Sequence, residues 1–338
     1  MLVARYGPAG ALAWQDLWRP DDRFLARGSS IAAAPGGGVY VDGTVGRRAT
    51  SESSPRLFPV IRRYSSSGRV VWKAKLPLPP EAVVGVVVGV AADRRGVVAA
   101  VDTMASMNYG GVFHDGALWA FGPAGRLRWM RDFEAPGISG TFDAVGDVAI
   151  GPNGLVYAVG HVDRTHRDTM NDPSSDEDIV VQQLTRQGAL RWSRILSDGA
   201  TKDRDHAVSV AVRPGLVIVG GWLDARPTIL VDLTADRSRA WVGAFGTDGT
   251  RRWSHRWGDQ KPTQETTSVA IAPWGPVYVA SIRWGLHRSD PVSALRRYSS
   301  DGTLVERRAY DGAAIGSVAT SDDALYLTTD DRLERWRR

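Results

Sequence analysis

One stretch of the chain concentrates side chains that can ligate metal ions: HVDRTHRDTMNDPSSDED, residues 161–178. It lacks the aspartate spacing, the glycine and the closing glutamate of an EF-hand, and it lacks the His-Glu-x-x-His pattern of a zinc-protease helix. A solvated acidic loop explains the same composition. The sequence therefore predicts no metal site and no cofactor. The candidate ligands are His161, His166, Asp163, Asp168, Asp172, Asp176 and Asp178.

Motifs for nucleophilic or phosphate chemistry are missing. The chain has no Cys, no Gly-x-Ser-x-Gly nucleophile elbow and no Gly-x-x-x-x-Gly-Lys-[Ser/Thr] phosphate loop. Catalytic groups can also be gathered from distant segments of one fold. In that case His161, Asp102 and Asp147 are the first residues to test. The sequence favours a non-catalytic protein and leaves enzymatic activity open.

Two tryptophans, Trp222 and Trp284, stand beside polar residues just after β-rich runs. Asp224, Arg283 and His287 are close to them in sequence. Aromatic rings with neighbouring hydrogen-bonding groups suit flat polar ligands such as sugars. Tryptophans at strand ends also anchor loops on the core, so glycan binding is one of two interpretations.

The elements that position these residues follow from a repeat. The eleven residues RRYSSSGRVVW, 62–72, recur with a Gly four positions before the last residue and a Tyr, Phe or Leu eight before it. Periods of this size mark repeat architectures. A flat indole after a Gly turn can wedge between neighbouring repeats, so the five tryptophans are predicted to dock adjacent repeats. The last position holds Trp14, Trp72, Trp129, Trp192, Trp253 and Glu306, which are 58, 57, 63, 61 and 53 residues apart.

Each repeat predicts four short strands without helical periodicity, the pattern of a β-propeller blade. We therefore predict an all-β, six-bladed propeller of four-stranded antiparallel blades, forming a single domain over residues 1–338. Strands from both chain ends are expected to complete the last blade and remove exposed sheet edges, with residues 2–6 and 332–336 competing for one strand position. The predicted blades cover residues 30–76, 86–133, 146–196, 207–257, 267–310, and 315–338 with 1–18.

The bulk composition argues against several classes of protein. The longest apolar run, Ala82 to Ala92, is shorter than the roughly 18–20 residues of a membrane helix, and no signal peptide is visible after Met1. The formal net charge is +5, but the arginines are spread along the chain instead of clustering, so nucleic-acid binding is not expected. The absence of Cys excludes disulfides and fits either redox compartment.

A family resemblance rests on DIVVQQLTRQGALRW (178–192), followed by DHAVSVAV (205–212) and VIVGG (217–221). This order resembles a bacterial β-propeller repeat known as SBBP and, more loosely, the PQQ-like propeller repeats. The resemblance implies the propeller fold and a non-catalytic, extracytoplasmic setting, either periplasmic or secreted, but no substrate. Two departures matter. SBBP-type repeats often carry Asp in the first turn, where only Asp93 does so here, and the adjacent cysteines of several quinone-dependent enzymes are missing, so no quinone is expected.

Loop lengths predict where a ligand would bind. The connections after the second and fourth strands are long and emerge on one face because strands alternate in direction, and variable loops on a rigid scaffold often carry binding groups. We expect a non-catalytic module that docks a protein partner of a larger assembly, or a polar or glycan ligand, through this face. A hydrolase, lyase or lectin-like site at the channel mouth is the alternative. The predicted ligand-binding residues are Thr44, Asp102, His161, Asp163, Trp222, Asp224, Arg283, Trp284 and His287.

Overall fold

The computed structural model contains β-strands and no helix in the residues it describes, which are all except 19–23, 48–55, 78–81, 107–111, 139–141, 165–175, 198–202, 226–237, 259–262, 285–290, 331 and 338. Within this part of the chain, no helix has the length and apolar character needed to cross a membrane. The strands form one hairpin, five units of four strands and a last unit of three.

The N-terminal hairpin consists of β1 (Leu2–Tyr6) and β2 (Leu12–Leu17). Unit 1 contains β3 (Phe24–Ala34), β4 (Gly38–Arg47), β5 (Arg56–Tyr64) and β6 (Val70–Lys75). Unit 2 contains β7 (Ala82–Asp93), β8 (Gly96–Ser106), β9 (Val112–Phe121) and β10 (Leu127–Asp132). Unit 3 contains β11 (Phe142–Ile150), β12 (Val156–Asp163), β13 (Glu177–Leu184) and β14 (Leu190–Leu196). Unit 4 contains β15 (Arg204–Arg213), β16 (Leu216–Ala225), β17 (Arg239–Phe245) and β18 (Arg251–Trp257). Unit 5 contains β19 (Gln264–Ile271), β20 (Val277–Arg283), β21 (Val292–Tyr298) and β22 (Leu304–Asp311), and unit 6 contains β23 (Ile315–Thr320), β24 (Ala324–Thr329) and β25 (Leu333–Arg337).

Neighbouring strands of a unit pair antiparallel in chain order. The first strand of each unit packs against the first strand of the next, from β3 through β7, β11, β15 and β19 to β23. Short parallel bridges join the third strand of one unit to the first strand of the following one, as between Glu177 and Arg204. Antiparallel sheets that are arranged radially, with their first strands packed against one another on the inside, form a β-propeller.

The apolar cores lie in the seams between units. In the seam between units 2 and 3, Leu118 and Phe133 pack with Val156 and Leu184, and each of the other seams has a comparable cluster. Because the second and third strands are covered on both faces, β12 and β13 are buried almost throughout. The outer strands, such as β10, alternate between exposed and half-buried residues.

Five tryptophans make the same contact across successive seams. Each indole Nε1–H donates to a carbonyl in the turn between the third and fourth strands of the next unit. The indole also lies over the glycine of that turn, so a Cβ on Gly125 would stand 2.8 Å from Trp72 Cδ2. We call this contact the tryptophan clamp. The donor–acceptor pairs are Trp14 to Ser66 (3.0 Å), Trp72 to Pro123 (2.9 Å), Trp129 to Arg186 (2.9 Å), Trp192 to Thr247 (3.2 Å) and Trp253 to Ser300 (3.0 Å).

The two chain ends meet through side chains instead of one shared sheet. Among the described residues, β25 pairs with β24, whereas β1 pairs only with β2. Arg335 of β25 donates to the carbonyl of Pro8 in the hairpin turn at 3.2 Å, and Trp14 clamps the hairpin to unit 1. The expected last blade with paired strands from both termini therefore differs from the structure. The strand β25 takes the position beside β24, which leaves the hairpin between unit 6 and unit 1.

The first strands of units 1 to 5 begin earlier than the sequence predicts, at residues 24, 82, 142, 204 and 264. The reason is a register shift in each of them, for example between Gly28 and Ile31 and between Val145 and Asp147. A β-bulge interrupts the alternation of apolar and polar residues. A pattern search therefore starts the strand only after the bulge.

The two ends of the propeller differ in their connections. The turn end carries short connections such as 65–69, 122–126 and 185–189. At the loop end lie the strand ends that border the longer connections, including 164–176 and 226–238.

Candidate functional site

A cluster of ionisable residues lies at the loop end of the seam between units 3 and 4. His161 is near the end of β12, Glu177 is the first residue of β13, and His206 is near the start of β15. Backbone pairing fixes all three, because Glu177 pairs with Asp163 and with Arg204, and His206 pairs with Trp222. We call His161, Glu177 and His206 the His-Glu-His trio.

The side chains of the trio converge on one carboxylate oxygen. His206 Nε2–H donates a short hydrogen bond to Glu177 Oε2, and His161 Nε2 lies 3.7 Å from the same oxygen. The two imidazoles stack with centroids 3.7 Å apart and planes 16° apart. The Glu177 side chain is only 3% exposed, whereas those of His161 and His206 are 13% and 22% exposed. The trio is thus held in the seam and still reaches solvent.

Neighbouring side chains hold the trio in place. Arg204 Nε lies 3.3 Å from Glu177 Oε1, the other oxygen of the carboxylate. The Trp222 ring lies over His206 with a centroid distance of 5.0 Å. His206 is therefore sandwiched between His161 and Trp222, which restricts its rotation. The Trp222 face turned to His206 is also covered.

Asp163 and Asp224 occupy equivalent places in units 3 and 4. The Asp163 amide donates to Asp143 Oδ1 at 3.0 Å, and the Asp224 amide donates to Asp205 Oδ1 at 2.9 Å. Asp163 is fully buried, and Asp224 has a positive φ of 62° and pairs with Arg239 at 3.3 Å. These contacts tie strand ends together.

The other predicted residues lie in different units. Thr44 is buried on β4 of unit 1, and Asp102 is half-buried on β8 of unit 2. The Trp284 amide donates to the Thr263 carbonyl at 3.0 Å. His287 lies outside the described residues, as do His166, Asp168 and Asp172 of the acidic loop. Two of the nine predicted residues, His161 and Trp222, lie close together, because the rings of both pack on His206.

Two carboxyls, Asp42 on the second strand of unit 1 and Asp147 on the first strand of unit 3, have strongly raised pKa values. Asp42 is fully buried, and this desolvation raises its pKa to about 8, although its Oδ1 accepts the Ser30 amide at 2.9 Å. Desolvation also raises the pKa of Asp147 to about 7. Asp147 accepts the amides of Val148 and Val210, so it bridges the first strands of units 3 and 4. Asp147 therefore has a structural role, because its carboxyl links the two strands.

A second polar site lies in unit 5, against unit 4. It is a cavity of about 330 Å³ near the loop end, and Arg283, one of the predicted residues, lines it. Arg296 and Arg307 stand directly opposite each other on β21 and β22 and line the same cavity. We call these three residues the arginine pocket. The remaining lining residues are Gln264, Ser281, Ile282, Val292 and Ala294.

Arg296 is the buried member of the arginine pocket, at 8% exposure. Its guanidinium lies 4.1 Å from the Trp257 ring centroid and donates to Ser281 Oγ at 2.6 Å. Desolvation, together with the Arg307 charge, lowers its pKa to about 10, so it stays charged near neutral pH. Among the described residues, no carboxylate forms an ion pair with Arg296.

Sequence reasoning missed four residues of these sites: Glu177, His206, Arg296 and Arg307. Glu177 stands between Asp176 and Asp178 in an acidic run that extends into β13, and only the two aspartates are candidate ligands in the sequence analysis. His206 sits on a first strand in another repeat, and only the seam brings it to His161. A signal for Arg296 was present, because RR at 296–297 occurs in the third strand, where one of two adjacent side chains must point into a seam.

Exposed apolar area of the kind that a protein partner could cover lies on the outer rim. Leu2, Tyr6, Leu12 and Leu17 of the hairpin are 62%, 55%, 50% and 53% exposed. They form cross-strand pairs, Leu2 with Leu17 and Tyr6 with Leu12. The described part of the loop end is instead marked by charged and aromatic groups.

Neither a family model nor a curated protein matches the chain. Similar solved structures include YCF48 bound to D1 peptide, with 8% identity over 94% of this chain and 82% of that one and a TM-score of 0.47. The parainfluenza virus 5 hemagglutinin-neuraminidase with the ligand DANA has 8% identity, 93% and 86% coverage and a TM-score of 0.46. A subtype N11 neuraminidase-like protein of A/flat-faced bat/Peru/033/2010 has 11% identity, 99% and 91% coverage and a TM-score of 0.48.

These neighbours are β-propeller proteins. At this identity and with TM-scores below 0.5, the likeness says nothing about ligands or activity. The strand order and the seams of this chain define its fold. The SBBP-type resemblance stays a prediction, because no family model supports it.

Proposed function

We propose that this chain is a six-bladed β-propeller that acts as a non-catalytic binding module and takes a small anionic ligand in the arginine pocket. The six blades correspond to the six first strands, and the hairpin fills the rim between the last blade and the first. The observation that carries the ligand proposal is Arg296: a buried guanidinium, facing a second arginine, without a carboxylate partner in the described residues.

The energetic argument starts from burial. A buried charge without a counter-charge is costly, and like charges placed directly opposite on paired strands destabilise the pair. Arg296 and Arg307 combine both penalties. An oxyanion in the cavity would offset both. Guanidinium groups suit this task because their planar fork matches phosphate and carboxylate oxygens.

The cavity is large enough for such a ligand. Its volume of about 330 Å³ lies at the lower end of the range of small-molecule sites, about 300–1,000 Å³. Ser281 and Gln264 add hydrogen-bonding groups, and Trp257 covers the far side of the Arg296 guanidinium. This composition fits a small phosphorylated or multiply carboxylated molecule.

Thermal unfolding tests the proposal. The melting temperature of the full chain should rise with millimolar phosphate, pyrophosphate or citrate relative to chloride at equal ionic strength, because a ligand that binds only the folded state stabilises it. The variant Arg296→Met should lose this rise and keep its fold. A matched control is Arg308→Met, since Arg308 follows Arg307 on β22 but points to the opposite face of the sheet, where it stacks on Trp336.

Sulfate and phosphate also stabilise proteins by exclusion from the surface. An equal rise in the wild-type chain, Arg296→Met and Arg308→Met would assign the effect to exclusion and refute the pocket. Direct titration calorimetry with the best anion then gives the affinity. An undetectable heat for the wild-type chain across the whole panel would refute it as well.

We also propose an extracytoplasmic setting, periplasmic or secreted. Its support is the resemblance of residues 178–221 to SBBP-type repeats. Fractionation of cells that express the native gene would test this setting. Recovery of the protein only with the cytoplasmic fraction would contradict it.

A further inference from the structure

We infer that the His-Glu-His trio is a binding site for one divalent transition-metal ion of the zinc class. This site is in the seam between units 3 and 4, and it is separate from the arginine pocket in unit 5. The candidate ligand atoms of His161, Glu177 and His206 all lie within 4.8 Å of one another. The inference does not depend on the proposed anionic ligand.

The donor set selects the kind of metal. Two imidazole nitrogens and one carboxylate oxygen suit zinc and its first-row neighbours, whereas calcium and magnesium prefer oxygen ligands alone. Catalytic zinc sites commonly use three protein ligands of this kind and leave the fourth position to water or another donor. The trio supplies three ligands and leaves such a position.

The backbone already holds the three side chains close together. One imidazole must still turn, because the ring planes of His161 and His206 are only 16° apart and two nearly parallel rings cannot both direct Nε2 at one ion. With ligand bonds of about 2.0–2.2 Å, a tetrahedral ion holds its ligand atoms roughly 3.3 Å apart. His161 Nε2 and Glu177 Oε2 are already 3.7 Å apart. The hydrogen bond between His206 and Glu177 must open, and a neutral His206 must carry its proton on Nδ1 so that Nε2 can bind the ion. Because a doubly protonated imidazole cannot bind a metal ion, binding should weaken as the pH falls.

The surroundings are those of a supported site. Arg204 holds Glu177 Oε1 at 3.3 Å, which orients the other oxygen toward the histidines, a role that outer partners commonly have around metal ligands. Trp222 packs on His206 and limits its rotation. Asp163, which is buried and pairs with Glu177 across the two strands, adds negative charge beside the trio and so favours a cation.

Partial exposure gives the ion a path of entry. The side chains of His161 and His206 are 13% and 22% exposed, while the carboxylate between them is buried. This arrangement differs from a surface histidine pair, which binds metal ions weakly and without a fixed carboxylate. Two of the ligands, His161 and Glu177, come from the run 161–178, for which the sequence predicts a solvated acidic loop and no metal site. Both lie on strands, β12 and β13, and the third ligand, His206, comes from β15 of the next unit.

The test is zinc binding by the full, tag-free chain after removal of metal with a chelator. Competition with a chromogenic chelator near pH 7.5 should show one zinc ion per chain. His161→Ala and His206→Ala should each weaken binding at least tenfold, and Glu177→Gln should weaken it as well. The matched control is His255→Ala, which removes a histidine that stacks on Tyr298 at the turn end and should leave zinc affinity unchanged.

A spectroscopic readout covers the case in which a variant does not fold. Cobalt(II) bound by the wild-type chain should give the intense visible bands of a four-coordinate site, at one equivalent. Weak octahedral bands, no saturable zinc binding, or equal losses in His206→Ala and His255→Ala would each overturn the inference. Melting temperatures measured in chelator separate loss of the fold from loss of the metal.

Discussion

The turn end and the loop end of this propeller are made from the same strands but follow different rules. At the turn end, five seams repeat one contact, in which an indole donates to a carbonyl and covers a glycine. At the loop end, each seam differs: the seam of units 3 and 4 holds two histidines and a glutamate, whereas unit 5 presents three arginines toward unit 4. The repeated contacts therefore stabilise the propeller. The seams whose residues differ from those of the other seams are the places where ligands can bind.

The largest effect is expected from a pair of glycine variants, which separates the stability contributed by the tryptophan clamp from the cost of backbone strain. Gly125 and Gly10 occupy the same place in their turns, with φ of 80° and 82°. A Cβ on Gly125 would overlap Trp72, whereas one on Gly10 meets nothing within 4 Å. Both Gly→Val variants incur the cost of a branched residue at positive φ. Gly125→Val should lose about 2 kcal/mol more than Gly10→Val, because it also displaces the indole.

Urea unfolding of the two glycine variants measures this difference. Equal losses would mean that the clamp contributes little, and that the turn glycines matter only for their backbone conformation. The comparison between the two ends would then lose its energetic basis.

A matched pair of tryptophans tests the two ends directly. Trp129 clamps units 2 and 3 and packs on their core, so Trp129→Ala should cost about 2–3 kcal/mol. Trp222, at the loop end, packs on His206, and Trp222→Ala should cost about 1 kcal/mol. If Trp222→Ala were the more destabilising variant, the loop end would have to be counted as part of the stabilising framework.

The pH dependence of stability probes the buried carboxyl of Asp42 on β4. Burial raises the pKa of Asp42 from 3.8 to about 8. The folded state keeps the proton up to that pH, while the unfolded chain releases it near pH 4, so Asp42 makes stability fall as the pH rises from about 4 to about 8. Asp42→Asn cannot ionise, and its melting temperature relative to the wild-type chain should increase over this window. A constant difference would contradict the raised pKa.

Much of the fold can be predicted from the sequence because one contact recurs. The frame of Trp and Gly indicates the unit length, the short turns and the all-β class. Strand starts were missed where bulges such as Gly28–Ile31 break the alternation. The site was predicted less well. His161 and Trp222 were named as isolated positions, but their partner His206 comes from the neighbouring repeat, and Glu177 was hidden in an acidic run. Contacts across a seam leave no periodic trace in a single sequence.

The sixth copy of the sequence frame, which ends at Glu306 in unit 5, offers the smallest test, because it lacks the tryptophan clamp of the other five copies. Glu306 stands where the other repeats carry the clamping Trp, and it pairs with Arg297 at 3.3 Å on the surface. A cavity of about 210 Å³, lined by Trp274, Leu325 and Trp336 among others, lies beside it. Glu306→Trp should fill part of this space and raise stability by up to about 1 kcal/mol, since an exposed ion pair contributes little. A loss of stability in urea unfolding would show that the seam between units 5 and 6 is built differently, with Trp336 already in the role of the missing indole.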